Sequence, residues 1–397
     1  MQPLKIGISI RLYTPNSGGL QHHAVALVRH LRGLGHKVTI VTRAVTRAPS
    51  YRDFFYFSES SSSFETIDVD LKVLRHPRLL NPLMWFVLKC VGHPKLRPLG
   101  IKIYNAVYSQ KIQGCFKDVD IIHHIGHGSE MIGFAAASAA RSLDVPFVVQ
   151  PTIHPGQWGD SEIDFALYRT ADKLLVHTNY EKSFFEKNGM TNKIDVVGNG
   201  IENRRDGDGE KFRSEFKVKG PMILFVGRKD ADKGYPMVLQ AFARLRQKLK
   251  DVSLVCMGPG QAASQGAEGV VEIGFAEEKT KHDALAACDL LCVPSEAESF
   301  GLIYMEAARY QKAILARRLP ALQELLGTEG AAILVGREDA LDNRVEISAD
   351  ELAETMLRLL TNPDEQKRIG ENAFRVSQRF LWPIVATRFE QAYAESL

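Results

Sequence analysis

Two glutamates eight positions apart, Glu298 and Glu306, carry the first chemistry in this chain, with Ser299-Phe300-Gly301 directly after the first. The surrounding pattern reads as a buried strand over 289–294, a polar loop over 295–301 and a helix over 302–310. Glu298 then precedes the helix and Glu306 lies inside it. Free N–H groups around Ser299 to Leu302 point at whatever lodges before the helix, and the helix dipole favours phosphate there. Carboxylates are poor partners for phosphate, so their natural targets are neutral hydroxyl donors: a sugar for one glutamate, a ribose for the other. Together these features describe a site for a sugar nucleotide. The same residues also allow a plain strand-loop-helix unit with solvated glutamates.

A second cluster adds positive charge. The apolar strand Met222-Ile223-Leu224-Phe225-Val226 runs into Gly227-Arg228-Lys229-Asp230-Ala231-Asp232-Lys233-Gly234, followed by an amphipathic helix to about Lys250. Loops at the carboxyl ends of parallel strands are where open α/β sheets hold ligands. Arg228 can fork two oxygens of a diphosphate, and Lys233 supplies a compact charge. Both would stabilise the negative charge that grows on a departing nucleoside diphosphate, without a metal. A solvated surface loop is the competing reading.

In order and spacing, these residues resemble the retaining, GT-B-fold glycosyltransferases of family four (glycosyl transferases group 1), and the resemblance spans nearly the whole chain. It rests on Gly18-Gly19 after the first strand, the Gly35-His36-Lys37-Val38-Thr39-Ile40-Val41-Thr42 and Ala171-Asp172-Lys173-Leu174-Leu175-Val176 strands, Val196-Val197-Gly198-Asn199-Gly200-Ile201, and the two segments above. The resemblance implies that Arg228 and Lys233 hold the donor diphosphate, that Glu306 binds the ribose and that Glu298 contacts the transferred sugar. Phe275, Ser299, Phe300, Gly301 and Leu302 complete the implied donor-binding set, with Gly18 and Gly19 letting the amino-terminal loop approach the phosphates. His154, in Pro151-Thr152-Ile153-His154, matches the family histidine beside the reacting sugar and joins Arg228, Lys233 and Glu298 as catalytic candidates.

Other histidines are less specific. His22 and His23 follow the diglycine loop and can reach an acceptor or a phosphate, or be solvated or packed; His22 and His127 are acceptor-side candidates. His123, His124 and His127 end one strand, but no companion cysteine or carboxylate set completes a metal site. Neither a metal nor a resident cofactor is expected, the co-substrate being a nucleoside-diphosphate sugar, with a UDP-sugar favoured. A retaining transfer through a carboxylate nucleophile, as in many glycosidases, is conceivable, but that nucleophile is not identifiable. The cationic seat fits the front-face substitution proposed for the family, in which the departing phosphate oxygen takes the acceptor's proton while two domains close on a cleft and exclude water.

The elements that must position these residues follow an alternation of short apolar strands and helical patterns, which predicts parallel sheets in doubly wound domains. The first series holds strands over 4–10, 37–43, 120–124, 146–150 and 173–177, with helices over 19–34 and 130–143; the second begins near Pro221. The expected architecture is α/β GT-B: an acceptor-binding Rossmann-like domain over 1–200, a donor-binding one over 201–380, and a last helix over 381–397 packing back on the first. Residues 203–220 read as a linker and Ser58 to Ser63 as a loop. With 397 residues, 45% of them apolar, the chain can fill such cores, and its net charge of +3 implies no particular partner. The five cysteines make no C-x-x-C pair and read as reduced thiols. No cleavable signal pattern and no membrane-length apolar run is found, so a cytoplasmic protein is expected, or one peripheral on the cytosolic membrane face. No repeat or nucleic-acid motif is present.

Residues 71–117, from Leu71 to Lys117, hold nine Lys or Arg and no Asp or Glu. Interleaved with Leu79, Leu80, Leu83, Met84, Trp85, Phe86, Val87 and Leu88, they can lie on an anionic membrane or take a lipid-linked acceptor; a helical insertion packed on the core uses the same pattern. The chain departs from the family in three places: residues 307–313 lack the usual Gly-x-Pro, Arg317-Arg318-Leu319-Pro320 replaces a glycine-rich loop, and Gly198 stands where proline is usual. The first two lie close enough to the donor site to bear on nucleotide or sugar preference. The expectation is transfer of a hexose or N-acetylhexosamine to a hydroxyl of a cell-envelope glycan or glycolipid. A nucleotide-sugar epimerase or hydrolase of the same fold, or a catalytically silent membrane-associated partner, are the alternatives.

Overall fold

The computed structural model describes residues 2–13, 19–43, 70–74, 78–264, 266–338 and 345–397. Gly18 and the Ser58 to Ser63 patch lie outside the described residues. The chain separates into two compact units, residues 1–200 with 382–397, and residues 201–381.

The first unit is built on seven strands: β1 (Lys5–Ile10), β2 (Lys37–Arg43), β3 (Asp70–Leu74), β4 (Ile121–Ile125), β5 (Phe147–Gln150), β6 (Lys173–Val176) and β7 (Lys193–Val196). They pair in the order β3-β2-β1-β4-β5-β6-β7, all parallel. The inner strands are buried almost throughout because helices cover both faces. The outermost pair, β3 and β7, carry Asp70, Lys72, Lys193 and Asp195 and are only partly buried. Edge strands tolerate such charges, which hid both from a reading based on apolar runs. The helix expected over 130–143 starts at Ile132 instead, after a short 3₁₀ turn over Gly128–Glu130.

The basic stretch 71–117 divides its side chains between the two expectations. Helix Asn81–Gly92 sends Met84, Val87, Cys90 and Val91 into the core, and helix Arg97–Cys115 sends Tyr104, Tyr108 and Ile112. Trp85 and Phe86 nevertheless stay about half exposed, as do Leu96 and Leu99, and Leu79 is almost fully exposed. The Lys89 ammonium sits 3.6 Å from the Trp85 ring centroid. Among the described residues no helix is long and apolar enough to cross a membrane.

Helix Trp382–Ala394 packs within this first unit through Trp382, Val385, Phe389 and Tyr393. The Tyr393 hydroxyl and His123 Nδ1 are 2.8 Å apart. The buried Lys173 donates to Ala392 O (3.2 Å) and pairs with Asp195 (2.6 Å) and Glu395 (3.1 Å), so its charge is matched where it is desolvated.

The second unit repeats the pattern with β8 (Met222–Val226), β9 (Ser253–Met257), β10 (Val270–Ile273), β11 (Leu290–Val293), β12 (Ala313–Arg317) and β13 (Ile333–Val335). Their order is β10-β9-β8-β11-β12-β13, again all parallel. Residues 203–220 are not the linker their composition suggests. Asp208 caps helix Gly209–Glu215, which buries Phe212, while Arg213 donates to Ala287 O and Gly220 O and pairs with Asp289. One buried aromatic and one multiply bonded arginine fix a segment that otherwise reads as polar. In each unit strand order reverses beside the first strand, at β1/β4 and β8/β11. Such switch points open a crevice at the carboxyl ends of the strands.

Candidate active site

In the second unit the crevice lies between the loop after β8 and the loop after β11. The two touch at Gly234, whose φ is +74° and whose Cβ would lie 2.6 Å from Pro294 O. Only glycine suits that contact and that backbone. This approach brings Lys233 Nζ within 2.6 Å of Glu298 Oε1, so the cationic loop and the first glutamate, 65 residues apart, form one site. Arg228 is more than half exposed, with Asp230 at 3.3 Å and Asp232 at 3.4 Å. Exposed pairs of this kind are weak, and the guanidinium can leave them for a phosphate at little cost.

Gly301 adopts the left-handed conformation before helix Leu302–Arg309, whose amino terminus has no side-chain cap. Ser299 and Leu302 lie part-buried around that turn. The Phe300 ring is buried against Phe380, 4.9 Å between centroids, so only its backbone can serve a ligand. Phe275 is largely exposed just after β10. One helical turn beyond Gly301, Glu306 Oε1 accepts from Lys281 Nζ at 2.9 Å, and Lys281 also pairs with Glu278 at 3.0 Å. Burial opposes the charge on Lys281, but Glu306 and Glu278 outweigh it and raise its pKa.

Two of the polar groups beside these loops escaped the sequence reading. Lys281 pairs with Glu306 across 25 residues, a spacing with no local signature. Lys229, neighbour to Arg228, turns inward instead, where its Nζ meets Glu272 at 2.7 Å and donates to Ile273 O at 2.9 Å. Glu272 also accepts from the Tyr235 and Ser264 hydroxyls, a network that ties the loop after β8 to β10.

In the first unit Gly19 opens helix Gly19–Gly33, with nothing within 4 Å of the place a Cβ would occupy. His22 is exposed, whereas His23 is buried with its Nδ1 2.6 Å from Asn199 Oδ1 and its Nε2 2.9 Å from Gln150 Oε1. Burial, with His177 adding to it, lowers the His23 pKa to about 4. His123 and His124 are equally buried inside β4, and burial depresses both, His124 to about 3. These three are packing histidines. His127 and His154 are brought together, the former 5.6 Å and the latter 4.5 Å from the Trp158 ring between centroids. His127 Nδ1 is 2.7 Å from Ser129 Oγ and 3.7 Å from Asp164 Oδ1. Two non-glycine residues near these histidines have left-handed backbones, Met131 (φ 65°) and Thr152 (φ 50°). For a β-branched threonine that conformation is strained, and strain of this kind gathers at functional sites. Among the described residues no group of three or more His, Cys, Asp or Glu could hold a metal ion.

Two doubly wound α/β units, the second with charged loops touching at its β8/β11 switch point, form a GT-B architecture. The family termed Glycosyltransferase Family 4 matches residues 17–205 and that termed Glycosyl transferases group 1 matches residues 207–376. The chain belongs to the GT-B-fold glycosyltransferases of family four. Among curated relatives it is similar to a D-inositol 3-phosphate glycosyltransferase of Segniliparus rotundus, 25% identical over 64% of this chain and 57% of that one. It is likewise similar to a phosphatidyl-myo-inositol mannosyltransferase of Mycobacterium tuberculosis, 27% identical over 51% and 53%. These matches span little more than half the length of the relatives. Among solved structures, Anabaena HepE in complex with UDP and glucose has the same fold, with a TM-score of 0.72 at 17% identity, covering 99% of this chain and 100% of that one.

Proposed function

We propose that this chain is a retaining glycosyltransferase that moves a hexose or N-acetylhexosamine from a nucleoside-diphosphate sugar to a hydroxyl of a cell-envelope glycan or glycolipid. The observation that carries the reading is the 2.6 Å pairing of Lys233 with Glu298 beside the exposed Arg228, at the β8/β11 switch point. Cations for a diphosphate and a carboxylate for sugar hydroxyls adjoin there, and Glu306 follows one helical turn beyond Gly301 for a ribose. Gly18, Gly19, Phe275 and the backbone from Ser299 to Leu302 are assigned to the same donor. A UDP-sugar is favoured by the fold's likeness to a protein crystallised with UDP and glucose, and hydroxyl-bearing lipid or polyol acceptors by the names of the curated relatives.

In this mechanism the bond from the anomeric carbon to the β-phosphate oxygen breaks, and the acceptor oxygen bonds to the same face of that carbon. The acceptor's proton passes to the departing phosphate oxygen. Arg228 and Lys233 stabilise the charge developing on the diphosphate, a role that calls for no metal and no resident cofactor. Glu298 orients the transferred sugar. His154, at the end of the β5 loop, donates to a sugar hydroxyl or orients the acceptor, and His22 and His127 are assigned to the acceptor side. Residues 71–117 make a peripheral contact with an anionic membrane on the cytosolic face: Trp85, Phe86, Leu96 and Leu99 supply apolar area, and Lys89 and Lys95 supply charge.

One observation favours a second reading, hydrolysis or epimerisation of the nucleotide sugar. Glu130 is a buried carboxylate after β4 whose Oε2 has no hydrogen-bond partner. Release of nucleoside diphosphate without an acceptor, lost in Glu130→Gln, would favour it over transfer.

The test is thermal stabilisation by UDP, GDP, ADP and dTDP, on wild type and on the Arg228→Ala/Lys233→Ala protein. Ligand at a hundred times its dissociation constant adds about 2.7 kcal/mol of stability. A shift with one nucleotide, lost in the variant, is expected and fixes the donor class. No shift with any of them overturns the donor-site assignment and leaves a catalytically silent partner.

A further inference from the structure

The loop after β5 holds an indole ring in a manner that calls for a ligand. A single exposed aromatic is ordinary on a protein surface, but Trp158, 43% exposed, is held rigidly. His154 and Trp158 exchange backbone hydrogen bonds at 3.0 and 3.1 Å, closing a five-residue loop. Asp160 accepts from Gly156 N at 2.7 Å, and the buried Tyr168 hydroxyl donates to Gly159 O at 2.8 Å. Gly159 has φ +82°, and its Cβ would lie 3.0 Å from Ile153, so the chain turns tightly over a buried side chain. The loop is entered through the strained Thr152. Rigidity of this kind reduces the ordering cost of binding.

The chemistry around the ring is that of a carbohydrate subsite. An indole face is apolar and electron-rich, and it suits the C–H face of a pyranose or cyclitol. Two imidazoles pack against it, His154 tilted by 46° and His127 edge-on at 81°. The Nδ1 of His127 is engaged by Ser129, leaving Nε2 to meet hydroxyls at the rim of a stacked ring. We infer that Trp158, flanked by His127 and His154, is a stacking platform for the six-membered ring of the acceptor. This rests on the transferase reading for the identity of that ring as the acceptor, but the platform lies wholly in the first unit and can be tested apart from the nucleotide site.

The test uses the full chain labelled with 5-fluorotryptophan. Its three tryptophans, Trp85, Trp158 and Trp382, give three fluorine resonances, assigned with Trp158→Phe and Trp85→Phe. Trp382 is buried, and Trp85, as exposed as Trp158, is the control for unspecific contact. Methyl α-D-glucopyranoside, myo-inositol and the acyclic sorbitol are titrated into the hundred-millimolar range. The expected result is a saturable shift of the Trp158 signal alone, with either cyclic compound, at a dissociation constant on the order of millimolar. An unmoved Trp158 signal, equal movement of Trp85, or an equal response to sorbitol overturns the proposal. Trp158→Ala should keep the nucleotide-dependent stabilisation of the wild type while losing the ring response to saturation-transfer measurement. Loss of both would mean that the variant disturbs the fold, and Trp158→Phe, which retains a stacking face, then decides by the same measurement. Absence of any nucleotide effect in the wild type, with the Trp158 shift present, overturns the donor assignment and leaves the platform standing.

Discussion

The two units share a strand order and treat most of their polar residues differently. In the second unit the chemistry stands on two loops of eight or so residues whose charges pair with one another: Arg228 loosely at the surface with Asp230 and Asp232, Lys233 closely with the part-buried Glu298. In the first, polar residues withdraw into the core. His23 links Asn199 to Gln150, Gln150 reaches His177 at 2.9 Å, and His123 meets Tyr393. Those contacts fix the helix Trp382–Ala394 and the strand ends from inside the unit. The difference teaches that a charge poised for a phosphate must be cheap to release, whereas a histidine buried among neutral partners serves position.

The largest effect should therefore come from the loose charges. Replacing both Arg228 and Lys233 by alanine removes two donors aimed at the developing phosphate charge, each of which is worth about a hundredfold or more in comparable sites. Transfer should fall by on the order of 10⁴-fold; the exposed Arg228 pairs add little to stability without ligand, and the loss there should come from the part-buried Lys233–Glu298 pair and stay within about 1–3 kcal/mol. An active double variant would erase the distinction between the two units.

Acid should break the first unit before the second. His23, His123 and His124 all have lowered pKa values from burial, to about 4 and about 3 for the first and last. The folded state keeps them neutral, and the unfolded chain binds protons near pH 6.5, so their contribution is complete above that pH and is lost as pH falls toward 4. Each can cost up to about 1.4 kcal/mol per pH unit in that window. Hydrogen exchange between pH 7 and 5 should register earlier opening of helix Trp382–Ala394 than of helix Tyr235–Lys248. Simultaneous opening would mean that the buried histidines do not govern the first unit's stability.

The same contrast explains what the sequence disclosed. Arg228, Lys233, Glu298 and Glu306 sit in contiguous segments where a strand, a polar loop and a helix follow one another, so their place after β8 and β11 could be read from the sequence pattern. The pairing of Lys281 with Glu306 and the inward turn of Lys229 depend on contacts 25 and 43 residues away, and neither is written locally. In the first unit His22, His23, His123, His124 and His127 look alike in sequence, and only tertiary burial separates packing from exposure. Trp158 carried a faint local sign, a tryptophan between glycines in Gly156-Gln157-Trp158-Gly159. The strands β3 and β7 were hidden by the charges that edge strands allow, and helix Gly209–Glu215 by its polar composition.

A smaller effect concerns the half-packed basic helix. If its outer face meets anionic lipid, Lys89→Glu with Lys95→Glu should lower partition into vesicles containing phosphatidylserine by at least tenfold, each lysine contributing about 1 kcal/mol. The buried Met84 and Val87 are untouched, so the fold should hold. Equal partition of variant and wild type would assign the segment to packing alone.

The smallest effect probes whether the tidiest ion pair of the second unit is also part of its site. Glu306 accepts from Lys281 through Oε1, yet a carboxylate has capacity for several donors, so a ribose hydroxyl can join the lysine rather than displace it. Glu306→Ala leaves Lys281 paired with Glu278, which keeps an unpartnered charge out of the interior. Affinity for the stabilising nucleoside diphosphate should fall about tenfold, close to 1.4 kcal/mol. The matching 2′,3′-dideoxynucleotide should bind wild type and variant alike, because it lacks the hydroxyls that the carboxylate receives. An equal loss for both ligands would place the effect in the lysine's charge acting on the diphosphate, and Glu306 would then be a structural partner of Lys281, as the buried polar groups of the first unit are of one another.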